Sequence, residues 1–420
     1  MEEKEENLYR GKRNIMLIGI TFCIVFFLSF LSGCGVNELE NQAFPLVMGV
    51  EARENESFQL YLAYPDLLNE NASEHALASD AYWEGTVTDL FAGMREMSEN
   101  SSKNPDLNHL KVLLLNPQVF ASDAAMEALL SFFEKKTDAA WNTYVLLTEE
   151  PMQEIFTEKL QLPECMGIYL EDLLEEWEHV KHNSFVTVGT LMQQFYERKG
   201  TVCIPKVVRQ EEKLAIGGFA ILEQLHLAGN LSLEEGYEAL LLQNNLKKYA
   251  FSMADGTGVT LEQLRVQRDI VPPGASRLLF HLRLCLRTAQ NTLHYPTNRR
   301  VLTDSIVPSS VLIQYLAAPE GKNEGETAGE MRPVVQIIVN GRVGITNRLE
   351  GSTERQQLEA AAKQELEERL QEFAEHWRKA GTDVTDSYAL LPGSDRALWH
   401  QYRDDETQYV EDLIYEVQVR

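Results

Sequence analysis

Residues 109–117 read HLKVLLLNP, an apolar run cut off by Asn116-Pro117. A short unbroken apolar segment ending on a proline is the pattern of a strand buried on both faces, because the ring cannot donate to a further pairing partner. Both neighbours of this run read as helices. Upstream, residues 86–97 place Val87, Leu90, Phe91, Met94 and Met97 at three- and four-residue spacing. Downstream, Ser122 stands as an N-cap before a helix burying Ala125, Leu129, Leu130 and Phe133, and a second apolar strand follows at 144–148. Alternation of helix and strand predicts a sheet covered by helices.

Further out, residues 45–52 (PLVMGVEA) and 58–65 (FQLYLAYP) predict a hairpin that turns at 53–57. Helical spacing returns over 152–160, 168–180 and 188–198, the last stopped by Gly200, and 202–205 is extended. From Lys213 the texture changes to short strands and turns at 214–222 and 226–231, with Ser232 capping a helix through Leu242. Gly217-Gly218 reads as a bulge or a tight backbone approach. Residues 277–287 alternate as a half-buried strand, and the polar stretch 319–329 is an insertion between strands at 311–316 and 334–339.

The longest helix opens on a capping box of Thr353 and Gln356 and ends at Gly381. Its stripe of Leu358, Ala362, Leu366, Leu370, Phe373 and Trp377 is expected to pack on a C-terminal sheet that closes with the strand 413–420. The fold class is α+β: a multi-domain ectodomain of mixed sheets packed with helices, ending in a β-sheet with a long C-terminal helix. Expected units are a signal segment 1–33, a tether 34–42, an N-terminal α/β domain 43–208, a small middle domain 209–262 and a C-terminal α+β domain 263–420.

The chain has 420 residues, 44% hydrophobic and 24% charged, which is ample material for more than one folded core. Asp and Glu outnumber Lys and Arg by 64 to 38, a formal charge of −26. A field of that sign repels phosphate backbones, so nucleic acid is not an expected partner. The five cysteines, Cys23, Cys34, Cys165, Cys203 and Cys285, form neither a disulfide framework nor a CxxC pair.

Basic residues Lys4, Arg10, Lys12 and Arg13 precede an uncharged run at 15–31, IMLIGITFCIVFFLSFL. Its length suits either a cleaved signal or a permanent anchor. The four residues at its end, Leu31-Ser32-Gly33-Cys34, distinguish the two: they resemble a bacterial lipobox, in which small residues let an extended chain enter the signal peptidase and the cysteine thiol accepts a diacylglyceryl group. The competing reading is an uncleaved anchor that happens to end in these residues. Either way the remainder is an ectodomain. Residues 1–33 hold as many basic as acidic side chains, so the acidity belongs to that ectodomain.

Chemistry-bearing motifs are absent: there is no GxSxG, Walker A, HExxH, EF-hand loop or GxGxxG. Glu175, His179 and His182 share a helix face at i, i+4 and i+7 and are the best metal candidate, but LEEWEHVKH reads more simply as a solvated helix end. No cofactor, metal or catalytic residue is assigned.

The order of lipobox, hairpin, His109-Leu110-Lys111-Val112 strand, Ile216-Gly217-Gly218-Phe219-Ala220 leading through Leu227-Ala228-Gly229 to Leu231-Ser232, long helix, Trp399 and closing strand resembles the Ger(x)C family. These are the lipoprotein C subunits of GerA-type nutrient germinant receptors of endospores, and the likeness runs from Glu38-Leu39 to Val419. The resemblance implies a non-enzymatic membrane lipoprotein acting in spore germination, anchored through acylated Cys34 on the outer face of the spore inner membrane beside integral-membrane A and B subunits. The competing readings are a solute-binding lipoprotein of a transporter, which would need two similar doubly wound lobes, and an extracytoplasmic hydrolase, which would need a convergent nucleophile and base.

Overall fold

The structure is a computed structural model that describes residue 20 and residues 41–53, 57–65, 80–101, 103–136, 139, 141–157, 160–181, 185–197, 200–271, 332–345 and 352–420. The lipobox, the strands expected at 277–287 and 311–316 and the insertion 319–329 lie outside the described residues.

The expected hairpin is strand β1 (Val47–Arg53) against β2 (Ser57–Pro65), antiparallel with Val47 opposite Ala63. A third strand, β3 (Asp80–Val87), extends it. This corrects the expected helix at 86–97. Thr86 sits opposite Gln59 and its hydroxyl donates to Gln59 Oε1, while Asp89 accepts from the Phe91 amide, so helix α1 begins only at Leu90 and runs to Ser101. The HLKVLLLN strand is likewise shorter than expected. Asp106 accepts from the Asn108 amide and turns 107–109 into a 3-10 helix, leaving strand β4 as Val112–Leu115.

Ser122 caps helix α2 (Asp123–Lys135) by accepting from the Ala125 amide, and strand β5 (Tyr144–Leu147) follows. Helices α3 (Met152–Thr157), α4 (Met166–Lys181) and α5 (Val188–Glu197) come next, then Gly200 with φ +99°. Strands β6 (Thr201–Gln210), β7 (Lys213–Glu223) and β8 (His226–Leu231) complete an eight-stranded sheet in the order β8-β7-β6-β5-β4-β1-β2-β3. Residue 208, where a boundary is expected, lies inside β6, and the sheet continues through it.

Both readings of Gly217-Gly218 hold. Lys206 pairs with Gly218 and Val207 with Ile216, so Gly217 is the bulged residue, and a Cβ on Gly218 would stand 2.5 Å from the Leu231 carbonyl oxygen. Alternate residues of the sheet enter opposite cores: Met48, Val50, Leu113 and Leu115 pack toward α1, α2 and α5, whereas Val47, Val112 and Leu114 face α3 and α4. The second core runs on without a break into the C-terminal region.

Ser232 and Glu235 form a reciprocal capping box that starts helix α6 (Leu233–Leu242). Two strands that sequence reading does not anticipate follow: β9 (Lys248–Ser252) and β10 (Gly258–Val271). They pair with β11 (Val334–Ile345) and β12 (Ile414–Val419) in a sheet ordered β9-β10-β11-β12, antiparallel except for the parallel β11–β12 pair. The β10–β11 register closes with Val271 opposite Val334.

Helix α7 (Ser352–Lys379) connects β11 to its parallel neighbour β12. It opens one residue before Thr353, which places that residue within the first turn rather than at the cap, and Gly381 follows its end with φ +89°. Leu366 and Leu370 are fully buried, Phe373 and Trp377 nearly so, and Leu358 packs partly buried against the same core, as the stripe requires. Three short helices, α8 (Leu391–Ser394), α9 (Arg396–Tyr402) and α10 (Glu406–Asp412), precede β12. Among the described residues no helix is long and apolar enough to cross a membrane.

Candidate functional site

In open sheets the carboxyl ends of adjacent parallel strands are where ligands bind, and here β1, β4 and β5 end together beside a cleft of about 700 Å³. Glu51, Arg53, Asn116, Gln118, Thr148, Glu149 and Glu150 line it. These groups largely satisfy one another or their own strands. Arg53 pairs with Glu51 at 3.5 Å, Asn116 donates to Gln118 and accepts from the Ala52 amide, Lys206 pairs with Glu149 at 3.4 Å, and Glu150 accepts from the Arg209 amide at 2.7 Å.

A denser polar site lies where the two sheets meet, on the segment 382–388 that follows α7. Asp383 is 1% exposed and its two carboxylate oxygens act only as acceptors. Oδ1 receives the Thr385 amide, the Thr385 hydroxyl at 2.6 Å and the Tyr415 hydroxyl at 2.8 Å; Oδ2 receives the Ser387 hydroxyl and the Tyr388 amide, each at 2.8 Å. Five donors on one buried carboxylate supply the solvation that water would otherwise give. Ser387 Oγ in turn meets the Tyr409 hydroxyl at 2.9 Å, and the Tyr388 hydroxyl donates to the Tyr402 carbonyl.

The same segment holds the N-terminal sheet. Asp386, left-handed at φ +53°, accepts from the Thr201 amide of β6 at 3.1 Å. Gln243, at the end of α6, donates to the Val384 carbonyl at 3.0 Å, and Arg268 of β10 donates to the Thr385 carbonyl. Glu223, at the end of β7, accepts from the Thr382 hydroxyl and the Asp383 amide. Glu406, the first residue of α10, pairs with Gln224. Burial pushes the carboxyl of Glu223 up to about 7, helped by the charge of Asp383. It does the same to Asp386, up to about 6, and to Glu406, up to about 7, with neighbouring carboxylates adding to both.

Residues 31–34 lie outside the described residues. Of the metal candidates, Glu175 is exposed on α4, whereas the His179 side chain and His182 lie outside the described residues. Among the described residues no three His, Cys, Asp or Glu side chains are arranged to hold a metal ion. Cys165 and Cys203 are buried free thiols, and burial pushes them up to about 11 and about 12, far from the thiolate that nucleophilic work needs.

Residues 35–209 match the family described as the spore germination protein N-terminal domain. The chain is similar to spore germination protein A3 of Bacillus subtilis (strain 168), with 22% identity over 205 residues, 48% of this chain and 54% of that protein. It thus spans about half the length of that curated relative. It is also similar to the crystal structure of the GerBC protein, at 13% identity and a TM-score of 0.47, over 89% of this chain and 96% of that one.

Proposed function

We propose that this chain, a spore germination protein of the Ger(x)C family through its residues 35–209, is the lipid-anchored, non-enzymatic subunit of a nutrient germinant receptor. The observation that carries the reading is where the family match starts: at Gly35, the residue after Cys34. Cleavage before Cys34 and acylation of its thiol would leave the family domain as the first folded element outside the membrane. Two acyl chains make stable anchoring where one is marginal, at about 0.8 kcal/mol per buried methylene.

On this reading the subunit assembles with integral-membrane A and B subunits on the outer face of the spore inner membrane. Tethering raises its local concentration beside such partners, so individually modest contacts sustain a complex. Pull-down from spore membranes is expected to recover both subunits, and deletion of the chain to abolish the spores' response to a particular nutrient while germination by routes that bypass nutrient receptors persists. Normal germination of the deletion strain on every nutrient, with lost uptake of a defined solute by vegetative cells, would instead identify a solute-binding lipoprotein.

A further inference from the structure

The junction between the two sheets brings carboxylates together from four elements. Glu223 comes from the end of β7, Asp383 and Asp386 from the segment after α7, and Glu406 from the start of α10, with Glu197 of α5 adding its field to Asp386. Arg268 of β10 is the cation that, among the described residues, acts on Asp383 and Asp386. Also facing the cluster are Thr382, the Thr201 amide, Gln224, the Cys203 thiol beside Asp386, and the hydroxyls of Tyr388, Tyr409 and Tyr415. His226, on the strand beside it, has Nε2 3.0 Å from Asp123 and Nδ1 3.1 Å from the Gln224 carbonyl oxygen.

Asp383 is fully solvated by its five donors. Glu223, Asp386 and Glu406 are half-buried and receive fewer donors each. We propose that Glu223, Asp386 and Glu406 form a proton-linked latch, which holds segment 382–388 against β6 and β7 when protonated and loosens that contact when ionised. The latch is a property of the fold and does not depend on which partner the chain serves.

The direction follows from linkage. Each of the three carboxyls has its folded value raised above the ordinary carboxylate range, to about 6 or about 7. The folded junction therefore binds more protons than the separated one. Its stability is full below the ordinary range, near pH 4, and falls as pH rises through about 6 to 7, where three added negative charges face one guanidinium.

Hydrogen–deuterium exchange of the full chain in detergent, at about pH 5 and about pH 8 with intrinsic exchange rates divided out, reads the latch directly. The amides of 382–388 and of Thr201 are expected to lose protection by roughly tenfold or more at the higher pH, while amides of β4 do not change. In Glu223→Gln/Glu406→Gln, whose amides keep the size of the protonated acids, only Asp386 still ionises, and the loss of protection between the two pH values is expected to be clearly smaller than in the wild type. Equal loss in the wild type and the double variant, or no loss in the wild type, overturns the proposal. If the double variant has lost the near-ultraviolet circular dichroism of the native fold, Glu406→Gln alone serves: a reduced pH response supports the latch and an unchanged one overturns it.

Discussion

The indole of Trp377 on α7 occupies the space that a side chain on Gly229 of β8 would fill: a Cβ added there would meet the ring at 2.6 Å. The long C-terminal helix is thereby seated on the edge of the N-terminal sheet.

Gly229→Ala should therefore destabilise the fold by about 1 to 3 kcal/mol, because the ring and the strand cannot both keep their positions. Trp377→Ala should cost about 3 to 5 kcal/mol through the cavity it leaves. Trp377→Phe should cost clearly less, since it also removes an indole N–H that has no partner among the described residues. Urea unfolding midpoints of the three variants check the order.

Asp383→Asn replaces one acceptor oxygen with a donor that faces existing donors. A loss of several kcal/mol, on the order of 3 to 5, is expected. Tyr415→Phe, which removes one of the five hydrogen bonds, should cost about 1 to 2 kcal/mol. Similar small effects from both substitutions would show that Asp383 is not the hub of this segment.

Arg369 on α7 bonds to Glu238 of α6, which is 3% exposed, and to Glu234 at 2.6 Å. Burial holds the Glu238 carboxyl above its usual range and Arg369 counters that effect. Arg369→Met removes the counterweight, so Glu238 binds its proton still more tightly in the folded chain. The destabilisation should be small in acid and grow to about 3 kcal/mol as pH rises through the new folded value. Unfolding followed at several pH values measures it.

Cys34→Ala is expected to yield an uncleaved precursor that incorporates no labelled lipid, and to lower recovery of membrane partners in pull-downs. Mature protein that still carries Met1 and lacks lipid in the unsubstituted chain would count against the anchor.

The strands found from sequence were those whose apolar runs are continuous or cleanly alternating, such as Val112–Leu115 and Ile414–Val419. Gly258–Val271 escaped for a physical reason. Its register shifts between Glu262 and Arg265, with Gln263 at φ +55°, so Leu261 and Leu264 break the two-residue period even though both are buried. Asp80–Val87 escaped because it is an edge strand, with only its last residue fully buried.

The junction could not be read in advance. Glu223, Arg268, Asp383, Asp386, Glu406 and Tyr415 are far apart in the chain, and the acidic ones look in sequence like the many other surface acids of a chain with 64 of them. The one local signal was the compact run Thr382–Asp383–Val384–Thr385–Asp386–Ser387, whose side chains are of the kind that bond to their own backbone.

Strands β10 and β11 are hydrogen-bonded neighbours up to the pair Val271 and Val334, so the chain leaves the sheet and re-enters it at the same place. For the residues between them, the sheet requires only that the chain return to a position adjacent to the one it left. A change in the length of chain between Val271 and Val334 therefore leaves the pairing of the described strands in register. This interval is the place where the architecture leaves room for diversification while the framework stays the same.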